Sequence, residues 1–115
     1  MGYSYEITEE AAEEIDYAIE YFESQFTSGA ADFLTAFDDT IEWILKMPES
    51  GQRRSEKDPD IRSRQVKADG GKSSYAKSFP YLLIYKVFTD DEKVVIFQLW
   101  PIRSNQPMRS GAEDE

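Results

Sequence analysis

Tyr81-Leu82-Leu83-Ile84-Tyr85-Lys86-Val87, then Thr89-Asp90-Asp91-Glu92, then Val94-Val95-Ile96-Phe97-Gln98-Leu99-Trp100 is the stretch that decides the fold. Two runs rich in β-branched and aromatic residues, separated by a short polar turn, predict a β-hairpin. Both runs are apolar on both faces, so something must cover the sheet, and Pro101 ends the second strand. Working back toward the N-terminus, Asp69 to Ser74 contains Gly70-Gly71 and reads as a turn. Ile61 to Lys67 alternates Arg62, Arg64 and Gln65 with small or apolar residues, the pattern of an edge strand. Glu49 to Asp60 is polar, holds Gly51 and Pro59, and reads as a loop.

The cover comes from the first half of the chain. Ala11, Ile15, Ala18, Ile19, Phe22 and Phe26 recur at three- and four-residue steps, with Glu9, Glu13, Asp16, Glu20 and Glu23 mostly opposite. Thr8 is placed to cap this helix, and Glu9 and Glu10 follow where the helix dipole favours acids. After the break Thr27-Ser28-Gly29, a second apolar stripe runs through Ala30, Phe33, Leu34, Phe37, Ile41, Ile44 and Leu45 until Pro48 stops it. So short a break makes the two helices an antiparallel hairpin. Tyr3 to Ile7 reads as a short strand. The expected architecture is α+β, in the order β-α-α-β-β-β, with the helical hairpin packed on one face of a small, mainly antiparallel sheet. Phe22, Phe33, Phe37, Ile41, Leu83, Tyr85, Ile96 and Leu99 should share one core, and Trp43 and Trp100 should pack helix on sheet.

Composition narrows the chemistry. The chain has 115 residues, enough for one domain, expected over residues 1–109 with an acidic disordered tail at 110–115. It has no cysteine and no histidine, which removes disulfides, thiolate metal sites and the side chain most used for proton transfer near neutral pH. No cofactor or metal is expected. No signal-peptide pattern and no bilayer-length apolar run is visible, so a cytoplasmic protein with no membrane partner is expected. The net charge of −10 is unevenly distributed. Residues 1–50 carry −12, residues 51–110 carry +5 and the tail −3, which suggests two surfaces with different partners.

Three segments carry a resemblance. Trp43-Ile44-Leu45-Lys46-Met47-Pro48-Glu49-Ser50-Gly51 closes the second helix. Lys77-Ser78-Phe79-Pro80-Tyr81-Leu82-Leu83-Ile84-Tyr85-Lys86-Val87 holds a Phe-Pro-Tyr strand ending in Tyr-basic-Val. Phe97-Gln98-Leu99-Trp100-Pro101-Ile102-Arg103-Ser104-Asn105-Gln106-Pro107 ends in an Arg-containing motif. Together with the element order, these resemble the ParE/RelE toxin superfamily, the plasmid-stabilisation toxins, over about residues 3–107.

The resemblance implies the toxin component of a type II toxin–antitoxin system, neutralised by a cognate antitoxin whose acidic or amphipathic segment crosses the toxin's sheet. The ParE branch implies DNA gyrase as target. The RelE branch implies a ribosome-dependent endoribonuclease, and a third reading is a toxin-derived binding protein without toxicity. A homodimer is left open. Here Leu82 stands at the aligned position of a RelE-type arginine, no Tyr follows Arg103, and Pro101 stands where the ending often has His, all against messenger cleavage. Phosphodiester chemistry without His or metal needs cations converging on one concave face. Arg62, Arg64, Lys77, Lys86 and Arg103 are the candidates for such a groove or for binding antitoxin or target. Arg103, Lys77 and Tyr85 are the candidate catalytic residues. Arg62 and Arg64 are expected outside the core.

Overall fold

The computed structural model describes residues 2–25, 29–68 and 78–102. Strand β1 (Ser4–Ile7) leads into α1 (Glu9–Gln25), and α2 (Gly29–Lys46) follows. A 3-10 turn over Pro48–Ser50 precedes the two-residue β2 (Gln52–Arg53), and the long strands β3 (Ile61–Lys67), β4 (Ser78–Phe88) and β5 (Lys93–Pro101) complete the sheet. Its order is β1-β5-β4-β3-β2, with β1 parallel to β5 and the other pairs antiparallel. This is the expected α+β fold with one strand added. The expected tail at 110–115, the turn at 69–74 and Phe26 with the break at Thr27 and Ser28 lie outside the described residues.

Local signals place the helices. Thr8 Oγ1 accepts the Ala11 N–H at 3.2 Å, the cap that leaves α1 starting at Glu9. The helix turns Ala11, Ile15, Ala18 and Phe22 inward, and α2 turns in Phe33, Phe37, Ile41 and Ile44. They meet Phe79, Leu83, Tyr85 and Val87 of β4 and Val94, Ile96 and Leu99 of β5 in one core containing all eight residues expected there. Aromatic rings concentrate where the hairpin crosses the start of β4. Phe22 and Phe33 stack at 5.2 Å, and Phe79 meets both edge-on at 5.4 and 5.5 Å. Buried Thr40 donates its hydroxyl to Ala36 O at 2.7 Å and accepts the Lys67 N–H at 3.1 Å, tying α2 to the end of β3.

Two expectations about the strands need correction. The segment read as a loop from Glu49 to Asp60 contains β2, whose Gln52 and Arg53 pair with Ser63 and Arg62. Ile61–Lys67 is an inner strand between β4 and β2, with Ile61 and Val66 buried. The helices cover one face of the sheet, as expected. On the other face Ile61, Ile84 and Phe97 form a second cluster, joined by partly buried Leu82 and Trp100. Trp43 packs on the helical side, but Trp100 does not.

Candidate functional site

Side-chain alternation sorts the candidate residues. Tyr85 and Leu83 belong to the helix-side core, and Arg62 and Arg64 are their register partners on β3, so both arginines point toward the helices. Lys86 pairs with Ile61, a residue of the second cluster, and points to the opposite, open face. The sheet thus sets Arg62 and Arg64 on one side and Lys86 on the other. Lys77 and Arg103 lie outside the described residues.

On the helical side, the polar groups converge on the turn after α2. The Tyr85 hydroxyl donates to Pro48 O at 3.1 Å, Arg62 Nη1 donates to Gly51 O at 3.0 Å, and Arg64 Nη1 donates to Ser50 Oγ at 3.3 Å. The Arg64 guanidinium also lies over the Trp43 ring, 5.2 Å from its centroid. Both arginines are half-buried with their Nε atoms enclosed, which corrects the expectation that they stand clear of the core. Gly51 is the centre of this clamp. A Cβ there would meet the Tyr85 hydroxyl and lie 2.7 Å from Ser63 O. The Pro-to-Gly spacing at the end of α2 was the sequence signal for this turn, but nothing in it named the strand residues that hold it.

The clamp fits structural work better than acid–base chemistry. Tyr85 is completely buried, and burial raises its pKa, an effect that Arg64 and then Arg62 oppose. A neutral phenol with no solvent access, already donating to a carbonyl, has no route to a 2′-hydroxyl. Burial lowers the Arg64 pKa, while Tyr85 acts in the other direction.

The open face has another character. Its apolar centre is buried Ile61, Ile84 and Phe97, flanked by partly buried Leu82 and Trp100. Lys86 stands at its margin, paired with Asp58 at 2.8 Å and 5.3 Å from the centroid of the 38% exposed Phe88 ring. Arg54 reaches the same face, where its Nε donates to Ser63 Oγ at 2.6 Å. What this face offers a partner is Leu82, Trp100 and the exposed Phe88 beside those cations, a mixed strip of apolar and basic groups that suits an amphipathic segment. Leu82, at the aligned arginine position, is part of that strip. Among the described residues no three His, Cys, Asp or Glu side chains are grouped to hold a metal, and no helix is long and apolar enough to cross a membrane.

No curated protein matches the chain in sequence. A chain from the solved structure "Chromosomal ParDE TA system from P. aeruginosa" superposes with a TM-score of 0.52 at 16% identity, covering 88% of this chain and 97% of that one. That likeness is one of fold. The family model "ParE toxin of type II toxin-antitoxin system, parDE" matches residues 5–105, from β1 through β5 and beyond. A match across so much of the chain, on the expected element order, places this protein in the ParE toxin family.

Proposed function

We propose that the chain arrests growth by inhibiting DNA gyrase in the cytoplasm, and that its cognate antitoxin neutralises it by laying an acidic, amphipathic segment across the open face. Membership of a toxin–antitoxin family implies the antitoxin. Supporting this choice of surface are partly buried Leu82 and Trp100 and exposed Phe88 beside Lys86 and Arg54. Lys77 and Arg103 are proposed as further contacts to antitoxin or target.

One observation carries the preference for gyrase over messenger cleavage. Arg62, Arg64 and Tyr85 hold the turn after α2, and the sheet sets Lys86 apart on the other side. Stabilising a phosphorane-like charge needs several cations aimed at one point, and the described residues do not supply that. The net charge of −10 also opposes docking on ribosomal RNA. Tight induction of the chain without its antitoxin, with DNA, RNA and protein synthesis followed by pulse labelling, tests the reading. DNA synthesis should fail first. Translation failing first, with cleaved messages that vanish in Arg103→Ala, would establish the ribonuclease reading instead.

A further inference from the structure

Helix α1 carries seven carboxylates and no Lys or Arg. Its inward stripe of Ala11, Ile15, Ala18 and Phe22 is complete, yet Tyr17 and Tyr21 on the flanking stripe remain 75% and 51% exposed. Tyr17 forms one wall of a cleft of about 470 Å³ between α1 and the ends of β4 and β5, lined also by Glu10, Glu13, Glu14, Tyr81, Leu99 and Pro101. This cleft lies on the helical side of the sheet, away from the open face. Glu14 is fixed there, because its Oε1 accepts the Leu99 N–H of β5 at 2.8 Å. The same bond, with the missing N–H of Pro101, blunts the free edge of β5, so a partner meets side chains here and not a strand edge. Tyr81 is anchored edge-on against Phe33 at 5.9 Å and Phe22 at 6.1 Å. Burial raises its pKa, and Tyr21 and then Tyr17 add to the rise, so its phenol stays neutral at physiological pH.

We infer that this cleft and the adjoining tyrosines are a docking surface for an arginine-bearing segment of a partner protein, distinct from the acidic segment assigned to the open face. Charge complementarity selects the sign of the partner, since the helix offers only carboxylates. The tyrosines select the cation type. A guanidinium pairs in a planar fork with a carboxylate and stacks on an aromatic face, whereas an ammonium is a strongly hydrated point charge. Glu13 and Tyr17 sit one turn apart on α1 and supply those two contacts to a single arginine. Exposed tyrosines ringed by acids also match the anchors that dominate protein interfaces.

The test is a titration of the full ¹⁵N-labelled chain with an amidated peptide of arginine, leucine and glycine, beside its citrulline counterpart. The arginine peptide should shift the amides of Glu10 to Tyr21 and of Leu99, the citrulline peptide should not, and affinity should fall with added salt. Glu13→Gln combined with Tyr17→Ala changes only exposed side chains and should weaken binding about tenfold with the spectrum of the fold preserved. The inference is overturned by shifts spread equally over Asp38, Asp39 and the Asp90–Glu92 turn, by full affinity in the double variant, or by a peptide that does not bind.

Discussion

Replacing Gly51 with Ala isolates the clamp. Gly51 has φ −70° and ψ 162°, a backbone that alanine adopts without strain. With no other effect, alanine there would stabilise the protein by about 0.4–1 kcal/mol through the unfolded chain. The added methyl, however, meets the Tyr85 hydroxyl and the Ser63 carbonyl at 2.7 Å, and the carbonyl belongs to a strand backbone that does not yield. Overpacking of this kind costs about 1–3 kcal/mol, so the net loss should be about 1–2 kcal/mol. Equilibrium urea unfolding, followed by the fluorescence of Trp43 and Trp100, should show the midpoint lowered by roughly 0.5–1 M. Tyr85→Phe removes one of the two colliding groups together with its hydrogen bond to Pro48 O, and alone should cost about 1 kcal/mol. Combined, the two changes should cost less than their sum by at least about 0.5 kcal/mol. An unchanged or raised midpoint for Gly51→Ala would refute the clamp, and strict additivity would show that Tyr85 is not what Gly51 makes room for.

Three further outcomes follow from the same geometry. Phe37→Ala empties a site only 6% exposed beside Phe33 and should cost about 3–5 kcal/mol in the same unfolding experiment. Reversing both Arg62 and Arg64 to Glu strips the Gly51 carbonyl of its donor and places carboxylates beside the core, so it should destabilise by more than about 2 kcal/mol, seen as a lower unfolding midpoint. The hydrogen bond from Lys86 holds the Asp58 carboxyl below its ordinary value. A depressed carboxylate stabilises above its unfolded pKa, near 4, and that stability is lost as pH falls through the folded value. Lys86→Met should therefore flatten the dependence of unfolding free energy on pH below about 4, by less than about 1 kcal/mol for so exposed a pair.

Much of this fold is legible in the sequence because apolar spacing reports it directly. The stripes through Phe22 and Ile44, the Thr8 cap and the stop at Pro48 are local signals, and each appears where expected apart from Leu34, which is exposed. The paired strands β4 and β5 are equally plain. Strand β2 was hidden because Gln52 and Arg53 are exposed and polar, and pairing with β3 makes them a strand. The register of β3 was hidden for a different reason. A slip of one residue exchanges the two faces, so composition alone does not say whether Arg62 shares a side with Tyr85 or with Lys86. That parity sets Arg62 and Arg64 in a clamp on one face and Lys86 on the other. The cleft at Glu14 and Leu99 joins residues 85 apart in sequence, a separation at which no spacing rule operates.

Supercoiling of relaxed plasmid by purified DNA gyrase, with the purified chain added alone and then with its antitoxin, tests the central claim most directly. The chain alone should abolish supercoiling in proportion to its concentration, and the antitoxin should restore it. Undiminished supercoiling at a large molar excess of folded chain, with a defined message cut in a purified translation reaction, would contradict the account.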